Sequence, residues 1–218
     1  MSIKDEYSVR PIDSDQYKEW ILKKHYAKRM PGVICNAYGL FSEENTLLGC
    51  ITFGLSANKN IALSIQEKFT LYELNRLVVN SIIPKNTLSY FVSTALKQLP
   101  SPLAIVSYAD VGAGHHGYIY QATNWIYTGE TIPSTIYINK NTGKEYHNRT
   151  YSDLPKSIQA QLTRTEGSSK HRYFYFVGNK REVKEMKRLL PYPILPYPKG
   201  DNQRYDASYE PVIQEVLF

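Results

Sequence analysis

The stretch from Asn86 to Val106 restricts the possible folds more than any other part of the sequence. Apolar residues recur there at the spacing of one helix face, at Leu88, Phe91, Val92, Ala95, Leu96 and Leu99. A cap at Asn86 or Thr87 and the prolines Pro100 and Pro102 bound this predicted helix. Leu103–Val106 is almost wholly apolar, which is typical of a strand buried on both faces. Since a strand candidate at Leu71–Val79 precedes the helix, the order strand, helix, strand predicts an α/β sheet.

Other elements extend this unit in both directions. Asp13 and Gln16 have the spacing of a capping box, and the helix that they begin has Tyr17, Trp20, Ile21 and His25 on one face. The remaining predicted elements are strands at Asn36–Phe41, Leu47–Gly54, Ser134–Ile138 and Arg172–Val177, a helix from about His115 to Asn124, and a basic amphipathic helix marked by Val183, Met186 and Leu190. The stretch from Lys144 to Lys170 is polar and predicts no regular element.

The positive charge is concentrated near the carboxyl end. Of the 218 residues, the segment 156–200 contains ten Lys or Arg against three Glu, whereas the chain as a whole has a net charge of +6. A basic segment with interleaved tyrosines, in a chain with 19 Tyr, suits a nucleic-acid backbone. A solvated helix face is the alternative. No apolar run approaches the length of a membrane span, so no membrane partner is expected.

The densest cluster of reactive side chains runs from Ser107 to Asn124. It includes Asp110, His115 and three glycines at the carboxyl end of a predicted strand, the sheet edge where ligands bind in open α/β folds. Asp110 and His115 suit acid–base chemistry or metal ligation. A turn aspartate and a water-exposed histidine pair are the alternatives.

A second polar cluster, Glu73-Leu74-Asn75-Arg76, interrupts an apolar strand. Regular alternation would place Glu73 and Asn75 on one face of that strand and Arg76 on the other. Unpaired buried charge is costly, so these groups are either functional or joined in a structural Glu73–Arg76 ion pair. His25, at the end of an apolar helix face, is either a packed histidine or a site residue.

Several common chemistries have no signature in the sequence. It contains no Walker loop, no G-x-G-x-x-G fingerprint, no G-x-S-x-G elbow and no H-E-x-x-H zinc helix, and it lacks the P-C-x-x-C of zinc deaminases. Two cysteines, Cys35 and Cys50, form neither a disulfide framework nor a four-ligand zinc site on their own, which favours a reducing setting.

At these motifs the sequence resembles the Mom family of phage DNA-modification proteins, whose fold is similar to that of GNAT acetyltransferases. The resemblance covers residues from about 20 to 200. It lies in the segments Trp20–Tyr26, Glu73–Leu77, Asn86–Ser89, Ser107–Asp110, Gly114–Gly117, Tyr120–Gly129, Lys170–Tyr173 and Pro196–Lys199. It implies an α/β fold with a GNAT-like mixed sheet flanked by helices and a basic C-terminal extension.

The resemblance also implies a domain organisation. Residues 1–130 would form the GNAT-like catalytic core, and residues 131–200 would complete the sheet and carry the basic DNA-contacting segment. Residues 201–218 would be a C-terminal tail, with the whole forming a single compact domain.

The resemblance implies an activity as well, the conversion of adenine in DNA to N6-carbamoylmethyladenine, which protects phage DNA from host restriction. The protein would act on DNA in the cytoplasm of the infected bacterium, as a monomer or a homodimer. Carried over to this sequence, the implied catalytic residues are His25, Tyr26, Glu73, Arg76, Ser107, Tyr108, Asp110, His115 and Tyr120. The expected DNA-binding residues are Lys170, Arg172, Lys180, Arg181, Lys184, Lys187 and Arg188.

The family implies iron, for which His25, Asp110 and His115 are the candidate ligands. The group donor is not specified. A coenzyme A phosphate loop should follow the strand Leu71–Val79, but the segment from Asn80 to Ser89 contains no glycine, so acetyl-coenzyme A is not supported. A donor bound there would use Lys85, Asn86 and Ser89.

Two other functions fit the same residues. One is a GNAT-type N-acetyltransferase that acts on a protein or a small amine, against which the missing phosphate loop argues. The other is a non-catalytic DNA-binding module on the same fold, because fold does not determine function.

Overall fold

The computed structural model describes residues 3–81 and 83–200. The predicted tail 201–218 lies outside these residues. The strands are β1 (Tyr7–Pro11), β2 (Asn36–Ser42), β3 (Leu47–Leu55), β4 (Thr70–Val79), β5 (Leu103–Asp110), β6 (Ile126–Glu130), β7 (Thr135–Asn139), β8 (Glu145–His147), β9 (Leu162–Glu166) and β10 (Lys170–Val177). The helices are α1 (Ile3–Glu6), α2 (Ser14–Glu19), α3 (Leu63–Gln66), α4 (Thr87–Lys97), α5 (Tyr118–Ala122), α6 (Asn148–Tyr151), α7 (Lys156–Gln159) and α8 (Lys180–Arg188), and a π-helical turn, Trp20–Lys24, continues α2.

Seven strands form one mixed sheet in the order β1-β2-β3-β4-β5-β10-β6. The pair β4 and β5, joined through α4, is parallel, and the other neighbours are antiparallel. The fold class predicted from the sequence, an α/β protein with a mixed sheet flanked by helices, is confirmed. Strand β10 belongs to residues 131–200 and fills the position between β5 and β6.

Helices cover both faces of this sheet. On one face, Phe91 and Val92 of α4 pack against Ile105 and Leu74. On the other face, Met186 of α8 packs with Val106, and the α2 unit buries Trp20 and Ile21 against the β2–β4 side. Ile105 and Val106 belong to different clusters because successive side chains of a strand point to opposite faces.

A second, three-stranded antiparallel sheet has the order β8-β7-β9. It is formed by the segment between β6 and β10, for which the sequence predicts a single strand and a long polar loop. Strands β8 and β9 carry little apolar alternation, so hydrophobic periodicity does not reveal them. The sequence assigns no element to the polar stretch from Lys144 to Lys170, whereas the structure forms β8, α6, α7 and β9 there.

Other boundaries differ by smaller amounts. Strand β5 continues four residues beyond Val106, to Asp110, so the reactive cluster begins inside the strand. Helix α5 starts only at Tyr118, after Gly117 at φ +74°. His115 and His116 therefore lie in the turn before the helix, because a glycine in the left-handed region separates that turn from the helix.

Candidate active site

The candidate site lies where β4 and β5 separate. Their parallel pairing runs from Thr70↔Leu103 to Glu73↔Val106 and then stops, although both strands continue. Immediately beyond the last pair, the buried Ser107 donates a hydrogen bond to Leu74 O at 3.0 Å. The Tyr120 hydroxyl lies 2.8 Å from Ser107 Oγ. Since the carbonyl can only accept, Ser107 donates to it and accepts from Tyr120. Ser107 therefore joins β4 and β5 by a hydrogen bond at the point where the two strands begin to separate.

A bulge in β4 determines which side chains face this cleft. Thr52 pairs with Arg76 and the next residue, Phe53, pairs with Leu74, so Asn75 is an extra residue in β4. Leu74 and Leu77 consequently both pack on the α4 side. Glu73 and Arg76 lie together on the opposite face. The alternation expected for a regular strand is wrong at Arg76, because the bulge reverses the side-chain pattern after Asn75.

Glu73 sits at the inner end of the cleft. Its Oε2 accepts a hydrogen bond from Ser56 Oγ at 2.8 Å. Burial raises the pKa of Glu73, and this effect exceeds the opposing ones of Ser56, the Ala57 backbone and the charges of Arg76 and Lys170. A carboxylate with a raised pKa is suited to accept a proton at neutral pH.

Arg76 does not form the alternative ion pair with Glu73. Among residues 3–81 and 83–200 no salt bridge joins the two side chains. The guanidinium of Arg76 instead donates to Arg29 O from Nη2 at 2.9 Å and from Nε at 3.2 Å. Burial, and after it the charge of Arg29, lowers the pKa of Arg76. Arg76 thus ties the segment after His25 to β4.

Tyr108 and Asp110 follow Ser107 along β5. Burial and the nearby Glu73 raise the pKa of the Tyr108 phenol, so it stays protonated. The carboxylate of Asp110 is held at both oxygens, by Ser168 Oγ at 2.5 Å and Gly112 N at 3.0 Å on Oδ1 and by Lys170 Nζ at 3.2 Å on Oδ2. Burial raises the pKa of Asp110, but these partners outweigh it and hold the pKa below its usual value. Asp110 is therefore an ionised, fully engaged group.

His25 and Tyr26 form one aromatic wall of the site. The imidazole of His25 is buried and stacks on Tyr26 at 4.4 Å between ring centroids, and Tyr26 meets His115 edge-on at 5.6 Å. Burial, together with the charges of Arg76 and His115, lowers the pKa of His25 to about 3. Its Nδ1 accepts a hydrogen bond from Ala27 N at 3.0 Å, so the neutral ring carries its proton on Nε2.

The Tyr26 ring remains partly accessible. It is 42% exposed, and burial and Asp110 raise the pKa of its phenol. Burial also lowers the pKa of His115, against the pull of Asp110, so both histidines of this group are neutral at pH 7. The preceding π-helical turn, Trp20–Lys24, ends directly at His25 and sets its position.

These side chains do not assemble the expected iron site. Across residues 3–81 and 83–200, no group of three or more His, Cys, Asp or Glu side chains is placed to hold a metal ion. Both oxygens of Asp110 already have partners. Iron stays a prediction of the family resemblance, and no step below is assigned to a metal.

The residues expected to bind a donor lie in the loop that follows β4 and at the start of α4. Asn86, at φ +73°, precedes α4, and Ser89 donates a hydrogen bond to Asn86 O at 2.9 Å. Lys85 is exposed. Thr87, the first residue of α4, is fully buried, and its Oγ1 has no hydrogen-bond partner among the described residues.

The predicted DNA-binding residues divide into two groups. Lys170 is paired with Asp110, and Arg172 donates to Thr128 Oγ1 and Thr128 O at 2.9 Å while its guanidinium lies 3.5 Å from the Tyr192 ring centroid. These two cations are engaged by other groups of the protein, although the Lys170 side chain is 39% exposed. The others lie on α8, whose exposed basic residues are Lys180, Arg181, Lys184, Lys187 and Arg188.

Sequence reasoning missed the side chains that hold the site together. Ser56 holds Glu73, Ser168 holds Asp110, and the Arg29 carbonyl holds Arg76. All three come from irregular segments distant in sequence from their partners, where no periodicity marks them. A polar residue inside an apolar strand, such as Glu73, signals that a partner exists without identifying it.

Comparison with known proteins assigns the family. A model described as the Mom protein family matches residues 6–199. The chain belongs to the Mom family. The methylcarbamoylase Mom of Escherichia phage Mu is 30% identical over 213 residues, which cover 89% of this chain and 84% of that relative. The resemblance inferred from the sequence motifs is therefore confirmed.

Solved structures with a related architecture are acetyltransferases. The spermidine/spermine N-acetyltransferase SpeG from Vibrio cholerae, in complex with manganese ions, has a TM-score of 0.48 and 9% identity, and covers 86% of this chain and 99% of that chain. A GNAT family acetyltransferase from Bacillus cereus has a TM-score of 0.40 and 11% identity, covering 78% and 96%. Likenesses this distant carry no argument about activity. Within residues 3–81 and 83–200, every helix is too short or too polar to cross a bilayer.

Proposed function

We propose that this protein is a DNA-modifying transferase that attaches a carbamoylmethyl group to N6 of adenine. The observation that carries the proposal is membership of the Mom family along most of the chain, together with a relative named as a methylcarbamoylase. The cleft between β4 and β5, with a carboxylate of raised pKa at its inner end, supports the same chemistry.

The reaction requires an unstacked base. A stacked adenine cannot enter a cleft of the protein, so the base must leave the stack or come from a single strand. The half-exposed Tyr26 ring, backed by His25, offers an aromatic surface for it. Stacking on such a ring contributes about 1–3 kcal/mol per base.

Proton removal is the main chemical difficulty. The lone pair of N6 is delocalised into the purine ring, so the amine is a poor nucleophile until it loses a proton. In the proposed step a bond forms between N6 and the methylene carbon of the donor, and the bond from that carbon to the leaving group breaks. One N6 proton passes to Glu73, which keeps one engaged oxygen on Ser56.

Asp110 is less suited to this role than Glu73. Its lowered pKa makes it a weaker base, and its oxygens are occupied by Ser168, Gly112 and Lys170. We assign Asp110 to holding the end of β5 and stabilising positive charge near Tyr26 and His115.

The donor is proposed to bind at the beginning of α4. A helix N-terminus favours an anionic group. The buried Thr87 hydroxyl, Asn86, Ser89 and the exposed Lys85 are the side chains near that end. No glycine-rich cradle is present between Asn80 and Ser89, so the donor need not be coenzyme A.

The biological consequence would be resistance of the modified DNA to restriction endonucleases in the cytoplasm of an infected bacterium. DNA from cells expressing the chain should contain a heavier deoxyadenosine derivative and resist cleavage. A GNAT-type acetyltransferase would instead bind coenzyme A tightly in calorimetry. A non-catalytic DNA-binding module would bind DNA but leave its nucleosides unaltered.

A further inference from the structure

The segment between β6 and β10 contributes Ser168 to the candidate site, but its three-stranded sheet has no part in the proposed chemistry. Residues 131–169 leave the sheet after β6 and return at β10, and they form the small sheet β8-β7-β9. Among the described side chains of this insertion, Asn139 alone is buried, and Ile132 is 92% exposed. A sheet with so few buried side chains adds little to the hydrophobic core, and such an exposed surface is a candidate for binding another molecule.

The base of the insertion is bonded to the candidate site. Ser168 Oγ donates to Asp110 at 2.5 Å, and Val111 N donates to Ser169 O at 3.1 Å. Ser169 Oγ also donates to Glu130 at 2.6 Å, at the end of β6. The small sheet therefore projects from the edge of the main sheet at which the reacting base would sit.

One face of the small sheet carries a row of aromatic and cationic side chains. Tyr137 in β7 is the register partner of Tyr146 in β8 and of Arg164 in β9, so the three side chains share a face. Tyr151 stacks on Tyr137 with ring centroids 3.9 Å apart and planes 10° apart. Lys144 Nζ lies 5.1 Å from the Tyr146 ring centroid. We call these five residues the tyrosine row.

The charge of the insertion matches a polyanion. Residues 131–169 contain five Lys or Arg and three acidic residues. Of the acidic residues, Glu145 is the partner of Ile138 and faces away from the row, whereas Glu166, two positions from Arg164, shares its face at the end of β9 nearest the main sheet. The exposed Lys144 lies over the Tyr146 ring and the exposed Arg164 is the register partner of Tyr137, and cations next to aromatic side chains are the combination that binds unpaired nucleic acid.

Helix α8 offers a different kind of contact. Its sequence KREVKEMKR contains cations but no aromatic ring, and Glu185 already binds Arg188 at 2.8 Å and Lys68 at 3.1 Å. It can hold phosphates but cannot stack bases. Binding of DNA by the tyrosine row should therefore depend on the bases, whereas binding by α8 should depend only on the phosphates.

We propose that the tyrosine row binds an unpaired stretch of DNA next to the reacting adenine, with bases on its phenol rings and phosphates on Lys144 and Arg164. The proposal rests on the proposed function in taking DNA as the substrate. It adds the element that holds the strand once a base has left the stack.

Fluorescence anisotropy with the full chain tests the row. Tyr151→Ala should weaken binding of a labelled mixed-sequence single strand by about 5- to 100-fold, the loss of one stacked base. Tyr151→Phe keeps the ring and should bind like the wild type. On an abasic strand of equal length, Tyr151→Ala and the wild type should bind alike. An equal loss on both strands, or no loss on either, would overturn the stacking role.

A charge substitution provides the matched comparison. Lys144→Ala should weaken binding of both strands and reduce the salt slope by about 1. Lys97→Ala, an exposed residue in the last turn of α4, removes the same charge far from the row in sequence and should change neither. If the two lysine variants behave alike, the small sheet is not a DNA surface.

Photo-crosslinking avoids the risk that a variant misfolds. The unaltered protein is irradiated with single-stranded DNA containing bromodeoxyuridine, and the attached tryptic peptides are identified. We expect attachment within residues 145–156, which carry Tyr146 and Tyr151. Attachment confined to 180–188 would reject the proposal in favour of α8. Crosslinking needs no turnover, so its result is independent of the modification assay. The tyrosine row can be confirmed as a DNA surface even if adenine is found unmodified, and it can be rejected even if adenine is modified.

Discussion

At the scale of single residues, the structure distinguishes two carboxylates, Glu73 and Asp110, between which the sequence alone could not choose a proton acceptor. Glu73 and Asp110 are both polar residues in apolar strands, but Glu73 is partly buried with one hydroxyl donor, whereas Asp110 has two hydrogen-bond donors and a paired cation. Their pKa values are shifted in opposite directions as a result. Two carboxylates whose pKa values are pushed apart in this way are suited to different roles, and we propose Glu73, whose pKa is raised, as the proton acceptor.

Glu73→Gln should lower the rate of adenine modification by about 100-fold or more, the contribution typical of a general base. The activity of the wild type should fall on acidification at a higher pH than an ordinary Glu would give, because the pKa of Glu73 is raised. The pH–rate profile measures this. Glu67→Gln, at an exposed glutamate, is the control.

Although Glu73→Gln should lower activity, it should raise the stability of the fold relative to the wild type at neutral pH. The folded state binds the Glu73 proton more tightly than the unfolded state, so wild-type stability falls as pH rises through the raised pKa. Glutamine has no such dependence, so Tm of the variant relative to wild type should increase from pH 4 to pH 8. A variant that is active but less stable at pH 8 would indicate a structural role instead.

Asp110→Asn should abolish the modified nucleoside while leaving DNA affinity nearly intact, because the ionised carboxylate organises the site rather than the phosphate contacts. Its pKa is lowered in the folded state, so the stability that it contributes is present above the usual carboxyl pKa and is lost as pH falls through the lowered value. Unfolding curves against pH should therefore converge for wild type and variant in acid. Unchanged modification would exclude this role.

At the scale of elements, the opening between β4 and β5 depends on two local devices. The bulge at Asn75 turns Arg76 to the face of Glu73, and Ser107 joins the strands at the last point of contact. Neither is visible in the sequence, since a bulge leaves no fixed residue signature and the partners of Ser107 are 13 and 33 positions away. The strands themselves were predictable from their apolar residues, the run Leu103–Val106 in β5 and the run Leu77–Val79 at the end of β4.

Ser107→Ala should destabilise the fold by about 1–3 kcal/mol, because it leaves the buried Tyr120 hydroxyl without its acceptor. Tyr120→Phe removes the other partner. If the two groups act through one hydrogen bond, the double variant should lose less unfolding free energy than the sum of the losses of the two single variants. Denaturant unfolding measures all three, and strictly additive losses would show that the hydrogen bond between Ser107 and Tyr120 does not contribute to stability.

Helix α8 was predicted as basic and amphipathic, and it is, with Met186 buried and its cations exposed. Reversing the charges at Lys184 and Arg188 should weaken binding to all duplex DNA alike and flatten its salt dependence, because phosphate contacts carry no sequence information. Titration at several salt concentrations checks this. An unaltered salt slope would leave α8 as a solvated helix face.

At the scale of the whole molecule, the sequence predicted the class of the fold and the family, but not the arrangement of the candidate site. The β4–α4–β5 unit followed from periodicity, and the family followed from separated motifs that include Glu73–Leu77 and Ser107–Asp110. The small sheet and the partners of Glu73, Arg76 and Asp110 did not. They depend on contacts between distant, irregular segments, which only the folded chain brings together.

The central claim, that this cleft modifies adenine in DNA, is tested most directly by mass spectrometry of nucleosides. DNA from cells that express the chain is digested and compared with DNA from cells that express Glu73→Gln. We predict a heavier deoxyadenosine derivative with the mass of a carbamoylmethyl adduct in the first sample and its absence from the second. Unmodified deoxyadenosine in the presence of folded, iron-replete wild-type protein would contradict the account.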